Sequence, residues 1–147
     1  MGLWKHQAIL FSVMFVVALC LNPMNVLAYD FSHLHLSTTL VLTSCYMAST
    51  MLWSHQLVHY LHMGHAHLGV VAVGILLSIM CVVGLRAQVG VSPQQWLRRM
   101  IPHHSTALTT TKRLLQNNQV DDRVYRLAKD IVLTQQQEID YMQTLLS

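Results

Sequence analysis

Charge is confined to one end of this chain, and that limits what it can fold into. Up to Val89 the only Lys, Arg, Asp or Glu residues are Lys5, Asp30 and Arg86, whereas seven Lys/Arg and five Asp/Glu follow from Gly90 onward. A water-facing surface needs polar and charged groups along its whole length, so residues 1–90 read as a membrane domain and 91–147 as a hydrated one. The composition agrees: 53% of the 147 residues are hydrophobic and 10% charged, against roughly 25% charged in ordinary soluble domains. The net charge of +3 is spread out. No basic stripe interleaves with aromatics, so a lipid bilayer rather than nucleic acid is the expected partner. Cys20, Cys45 and Cys81 lie in separate apolar runs, which excludes a disulfide framework or a paired-cysteine zinc motif.

Three stretches, Gln7 to Ala28, Ser37 to Leu61 and Leu68 to Arg86, approach or exceed the roughly 20 apolar residues that span a bilayer. The expectation is an integral, multi-pass protein of the inner or plasma membrane with three transmembrane helices. Asn22-Pro23 would kink the first. That first stretch also fits a signal peptide, with Lys5, an apolar core from Ala8 to Leu21 and a small-residue site at Val26-Leu27-Ala28. An N-terminus held inside by Lys5, followed by two later spans, puts the C-terminal domain on the exoplasmic side. Arg86, Arg98 and Arg99 after the third stretch pull the other way. The exoplasmic placement is the one expected here.

Beyond residue 90 the local signals are helical. Ser92-Pro93-Gln94-Gln95 combines a capping serine, a proline at the first helical position and a capping-box glutamine. The helix runs to about Gln116 with a kink expected at Pro102. Asn117-Asn118-Gln119 connects, and Asp121 caps a second helix reaching about Leu146. On that helix Val124, Leu127, Ala128, Ile131, Gln135, Glu138 and Met142 recur at three- and four-residue spacing, which predicts one packed face. Gln135 and Glu138 interrupt it, and a buried carboxylate needs a partner. Folding the helices back on each other brings His104 level with residues 133–135, Met100 with Glu138, and Trp96 with Tyr141 and Met142. Met100, His103, His104, Glu138 and Met142 then form a candidate metal site, with Gln135 behind it. The plainer alternative is a His104–Glu138 pair that fixes helix register.

A second candidate cluster is His55, His59, His62, His65 and His67. The first three share one helical face, since each residue turns ~100°, and Met47 and Met51 extend it. Imidazole and thioether together suit copper or zinc. Histidines serving as interfacial end anchors are the plainer reading. His33 and His35 join a site if they share a membrane side with the C-terminal domain.

The C-terminal residues also carry a resemblance. Met100-Ile101-Pro102-His103-His104, Ala107, Leu127-Ala128-Lys129-Asp130-Ile131 and Gln135-x-x-Glu138-Ile139-x-x-Met142 resemble the family called domain of unknown function 305, over about residues 91–147. Short membrane-anchored members are similar in layout. The resemblance implies an antiparallel helical hairpin of the ferritin-like type. It also implies copper binding through Met and His, carried here by Met100, His103, His104 and Met142. Thr106 and Thr110 stand where copper-binding relatives have further methionines, which weakens a copper(I) site.

The expectation is thus an all-α protein in which three transmembrane helices precede a C-terminal hairpin that binds or senses copper or zinc. The alternative is a structural module that forms a homo-oligomer through the hairpin. No enzyme is expected. A membrane di-iron oxidase, suggested by His55-x-x-x-His59 and His103-His104, lacks the further histidine boxes and the Glu-x-x-His motif such bundles use.

Overall fold

The computed structural model describes residues 2–117 and 119–147; Asn118, inside the expected connector, lies outside the described residues. Its helices are α1 (Leu3–Cys20), α2 (Pro23–Val26), α3 (Thr38–Met63), α4 (Leu68–Arg86), α5 (Pro93–Leu114) and α6 (Asp122–Leu146), with a short 3-10 turn at Phe31–His33. They form two compact units. One holds residues 2–21 and 38–90, the other 22–37 and 91–147.

In the first unit α3 packs against both α1 and α4. Its interior is built from small and polar residues. Val70, Gly74, Ser78, Cys81 and Gly84 form the inward face of α4, against Ser44, Ala48, Ser49, Leu52 and Gln56 of α3. Ser49 and Ser78 hydroxyls meet at 2.9 Å. A Cβ on Gly74 would stand 3.1–3.2 Å from Trp53 N, Leu52 Cβ and Ser49 O, so any larger residue would force α3 to give way. The large apolar side chains of α4, Leu76, Ile79, Met80 and Val83, point outward. Small residues inside and bulky apolar ones outside are the pattern of helices that pack in lipid.

This unit corrects the expectation of three spans. Among the described residues, two stretches are long and apolar enough to cross a membrane: Leu3–Val26, made by α1 and α2, and Leu68–Arg86. The stretch from Ser37 to Leu61 does form a helix, but Thr38, Thr39, Thr43, Ser44, Ser49, Thr50, Ser54, His55, Gln56 and His59 dilute its hydropathy. The exoplasmic placement of the C-terminal domain rested on three crossings and loses that basis.

In the second unit α5 and α6 form the expected hairpin. Ser92 Oγ accepts the Gln95 N–H at 3.3 Å, and Pro93 occupies the first turn. Asp121 caps α6 by accepting from the Arg123 N–H at 2.8 Å. Pro102 is buried inside a continuous α5. The core is Leu97, Ile101 and Leu108 against Ile139 and Met142, with Met100, Val132 and Leu146 packed on it. Of the expected face of α6, Ala128 and Met142 are buried and Ile131 and Gln135 partly so, whereas Val124 and Leu127 are 45% and 59% exposed; Ile139, off that face, is fully buried. Two apolar rows compete on this helix, and the one with Ile139 and Leu146 wins the packing.

Residues 22–37 form a strap on α5. Asn22 Oδ1 accepts from the backbone N–H groups of Met24 and Asn25 and so starts α2. The Tyr29 N–H donates to Ser105 Oγ at 2.7 Å, and buried His33 places Nδ1 2.9 Å from the same oxygen. The Lys112 ammonium lies 3.6 Å above the Tyr29 ring, a cation–π contact. Arg99 reaches the Met24 sulfur.

Candidate functional site

Helices α5 and α6 leave an open groove of about 390 Å³ lined by Trp96, Leu97, Met100, His104, Glu138, Tyr141, Met142 and Leu145. Four of the expected ligands therefore stand together: Met100, His104, Glu138 and Met142. Antiparallel register places them, because the short connector sets residue 104 beside 138 and residue 96 beside 141. His104 Nδ1 lies 2.9 Å from the Met100 carbonyl oxygen, and its Nε2 lies 3.0 Å from Glu138 Oε2. Both neighbours are acceptors, which a ring nitrogen meets by donating an N–H. Glu138 is 49% exposed and His104 13%, and a pair so open to water contributes at most about 1 kcal/mol. Its importance is positional: it fixes where the imidazole points.

His103 and Gln135 do not join the groove. His103 is exposed on α5 with its ring 5.8 Å from that of His104. Desolvation holds His103 below the ordinary histidine value, helped by the charges of Arg99 and His104. Gln135 is partly buried on α6. Met100 and Met142 also serve the hairpin core, so their thioethers have a packing role whether or not they meet a ligand.

The second histidine cluster regroups. His55, His59 and His62 line an outer groove of α3 with Val58 and Met63. The rings closest to one another are instead His59, His65 and His67, because the chain reverses at Gly64 with φ of +73°. Desolvation lowers the His59 pKa, with added repulsion from His65, His55, His67 and His62, which favours its neutral form. Among the described residues no group of three or more His, Cys, Asp or Glu side chains is placed, as it stands, to hold a metal ion. Cys20, Cys45 and Cys81 form no disulfide among the described residues.

The strap is the part that sequence reasoning missed. Ser105 is fully buried and joins Tyr29 to His33, yet a serine in mid-helix carries no signal until something docks on it. His35 lies in the same unit. Its pKa is lowered by desolvation, then by Arg98 and His33.

Comparison with known proteins agrees with the hairpin's residue pattern. Residues 80–146 match the family model described as Domain of unknown function (DUF305), and the match begins within α4. An uncharacterized protein of Acanthamoeba polyphaga mimivirus is 34% identical over 85 residues, which cover 55% of this chain and 55% of that protein. The chain thus spans about half the length of the curated relative it matches. No solved structure matches.

Proposed function

We propose that this is a non-enzymatic protein that binds a transition-metal ion, copper or zinc, in the α5–α6 groove while its two apolar helices hold it at a lipid bilayer. The observation that carries this reading is the orientation of His104. Metal-ligating histidines characteristically donate one ring N–H to a backbone carbonyl and present the other nitrogen to the ion. Here Nδ1 faces the Met100 carbonyl and Nε2 faces Glu138 across 3.0 Å. Two ligands bonded to one tetrahedral ion at about 2.0–2.1 Å stand about 3.3 Å apart, so a small opening of the pair admits a metal. The cation would then stand between the imidazole Nε2 and the carboxylate of Glu138. Met100 and Met142 line the same groove and offer soft donors, while His104 and Glu138 suit a borderline ion.

The test uses full-length, tag-free protein in detergent, with the methionine methyl groups labelled for NMR. Adding Cu(I), Cu(II) or Zn(II) is expected to shift the Met100 and Met142 methyl signals, and His104→Leu to abolish the shift. If neither signal moves with any of the three ions, the reading fails.

A second reading rests on the other apolar row of α6. Val124, Leu127, Tyr141 and Leu145 are 45%, 59%, 65% and 53% exposed at helical spacing. An antiparallel partner α6 from a second copy would set each row against its own equivalent, Leu127 facing Tyr141, and give a homodimer through the hairpin.

A further inference from the structure

The turn between α3 and α4 gathers three histidines that the hairpin does not use. α3 ends at Met63, Gly64 adopts a left-handed conformation, and His65 and His67 return over His59. Ring centroids are 4.7 Å apart for His59–His65 and 6.2 Å for both His59–His67 and His65–His67, with the planes crossing at 65°, 84° and 87°. Three imidazoles bound through nitrogen to one tetrahedral ion have centroids about 5 Å apart. The observed separations bracket that value.

The surroundings are arranged to support such a centre. His65 Nδ1 lies 3.2 Å from the Met63 carbonyl, which makes Nδ1 the donor and leaves Nε2 with a free lone pair. The His67 backbone N–H donates to Gln56 Oε1 at 3.1 Å, and Gln56 is only 1% exposed. A buried glutamine thus fixes where His67 leaves the turn. His59 Nδ1 is buried with no hydrogen-bond partner among the described residues, a state that is costly unless something meets it. His65 and His67 are exposed, so an ion has access from water.

We propose that His59, His65 and His67 bind a borderline divalent ion, zinc or copper(II), with the fourth tetrahedral position left to water. As they stand the three rings do not form a metal-holding group, so binding requires His67, whose ring is 6.2 Å from both others, to move inward. The site contains no thioether, so it selects a divalent ion where the hairpin groove offers soft sulfur donors. It lies outside the residues that match the family model.

The experiment keeps this site distinct from the groove. Zinc is titrated into full-length, tag-free protein carrying His104→Leu and Glu138→Leu, and the cobalt(II) spectrum of the same protein is recorded. One zinc equivalent and the intense visible bands of a four-coordinate cobalt centre are expected. His65→Gln with His67→Gln should weaken zinc more than about tenfold and remove those bands. Three results overturn the proposal: no zinc bound in the His104/Glu138 background, unchanged affinity in the His65/His67 variant, or loss of zinc on removing His55 and His62 alone. Both altered turn positions are exposed, so the variants retain the fold, which an unchanged circular dichroism spectrum verifies.

Discussion

Single side chains decide how the second unit holds together, and Ser105 is the most consequential. Its hydroxyl serves Tyr29 and His33 at once from a fully buried position. Ser105→Ala strands both partners and is expected to cost about 1–3 kcal/mol. The measurable outcome is faster amide exchange at Tyr29 and quicker proteolysis within 22–37, with α6 exchange little altered; unchanged exchange at Tyr29 would refute the role given to Ser105. The contrast with His104 is instructive. Its pairing with Glu138 was legible in the sequence, because two capped helices joined by a short connector have one simple register. His103 has the same residue type one position away, and helical rotation alone sends it out of the groove. Ser105 was illegible because its partners are more than seventy positions distant, in a segment with no strong pattern of its own.

At the scale of elements, local chemistry was readable and face selection only in part. The Ser92 and Asp121 caps depend on neighbours in sequence, and both form where expected. The packed face of α6 was readable only in part: Ala128 and Met142 are buried as the spacing predicts, while Ile139, packed with Ile101 and Leu108, lies off the predicted row. Likewise α3 is a long helix that buries Ser44, Ser49 and Gln56 within its own unit while His62 is exposed. Hydropathy averaged along the chain cannot report that direction. The α3–α4 contact turns on Gly74. Gly74→Val should push its new side chain into the α3 backbone and cost about 1–3 kcal/mol through overpacking. Gly84→Ala, whose Cβ would meet only Leu42 side-chain carbons at 3.8–3.9 Å, should be tolerated. Thermal midpoints of the two variants in one detergent decide the matter, and equal midpoints would show that the close approach at Gly74 is dispensable.

For the whole molecule, assembly has a direct reading. If the exposed α6 row joins two copies, full-length protein sediments as a dimer and Leu127→Glu with Tyr141→Glu shifts it to monomer, since a charge at each end of the row cannot be buried unpaired. A monomeric parent protein would remove that reading and leave the metal sites unaffected. The two-unit organisation has a separate practical corollary in the Thr38–Gly90 contact. The Thr38 hydroxyl donates to the Gly90 carbonyl at 3.2 Å, so the chain departs from the strap and arrives at α5 through adjacent points. Residues 38–90 can therefore be excised and Ser37 spliced to Val91 by a short link. Starting such a fragment at Asn22 would keep the strap seated on Ser105 and yield a water-compatible hairpin, whereas a fragment cut at Val91 would bare the surface the strap protects.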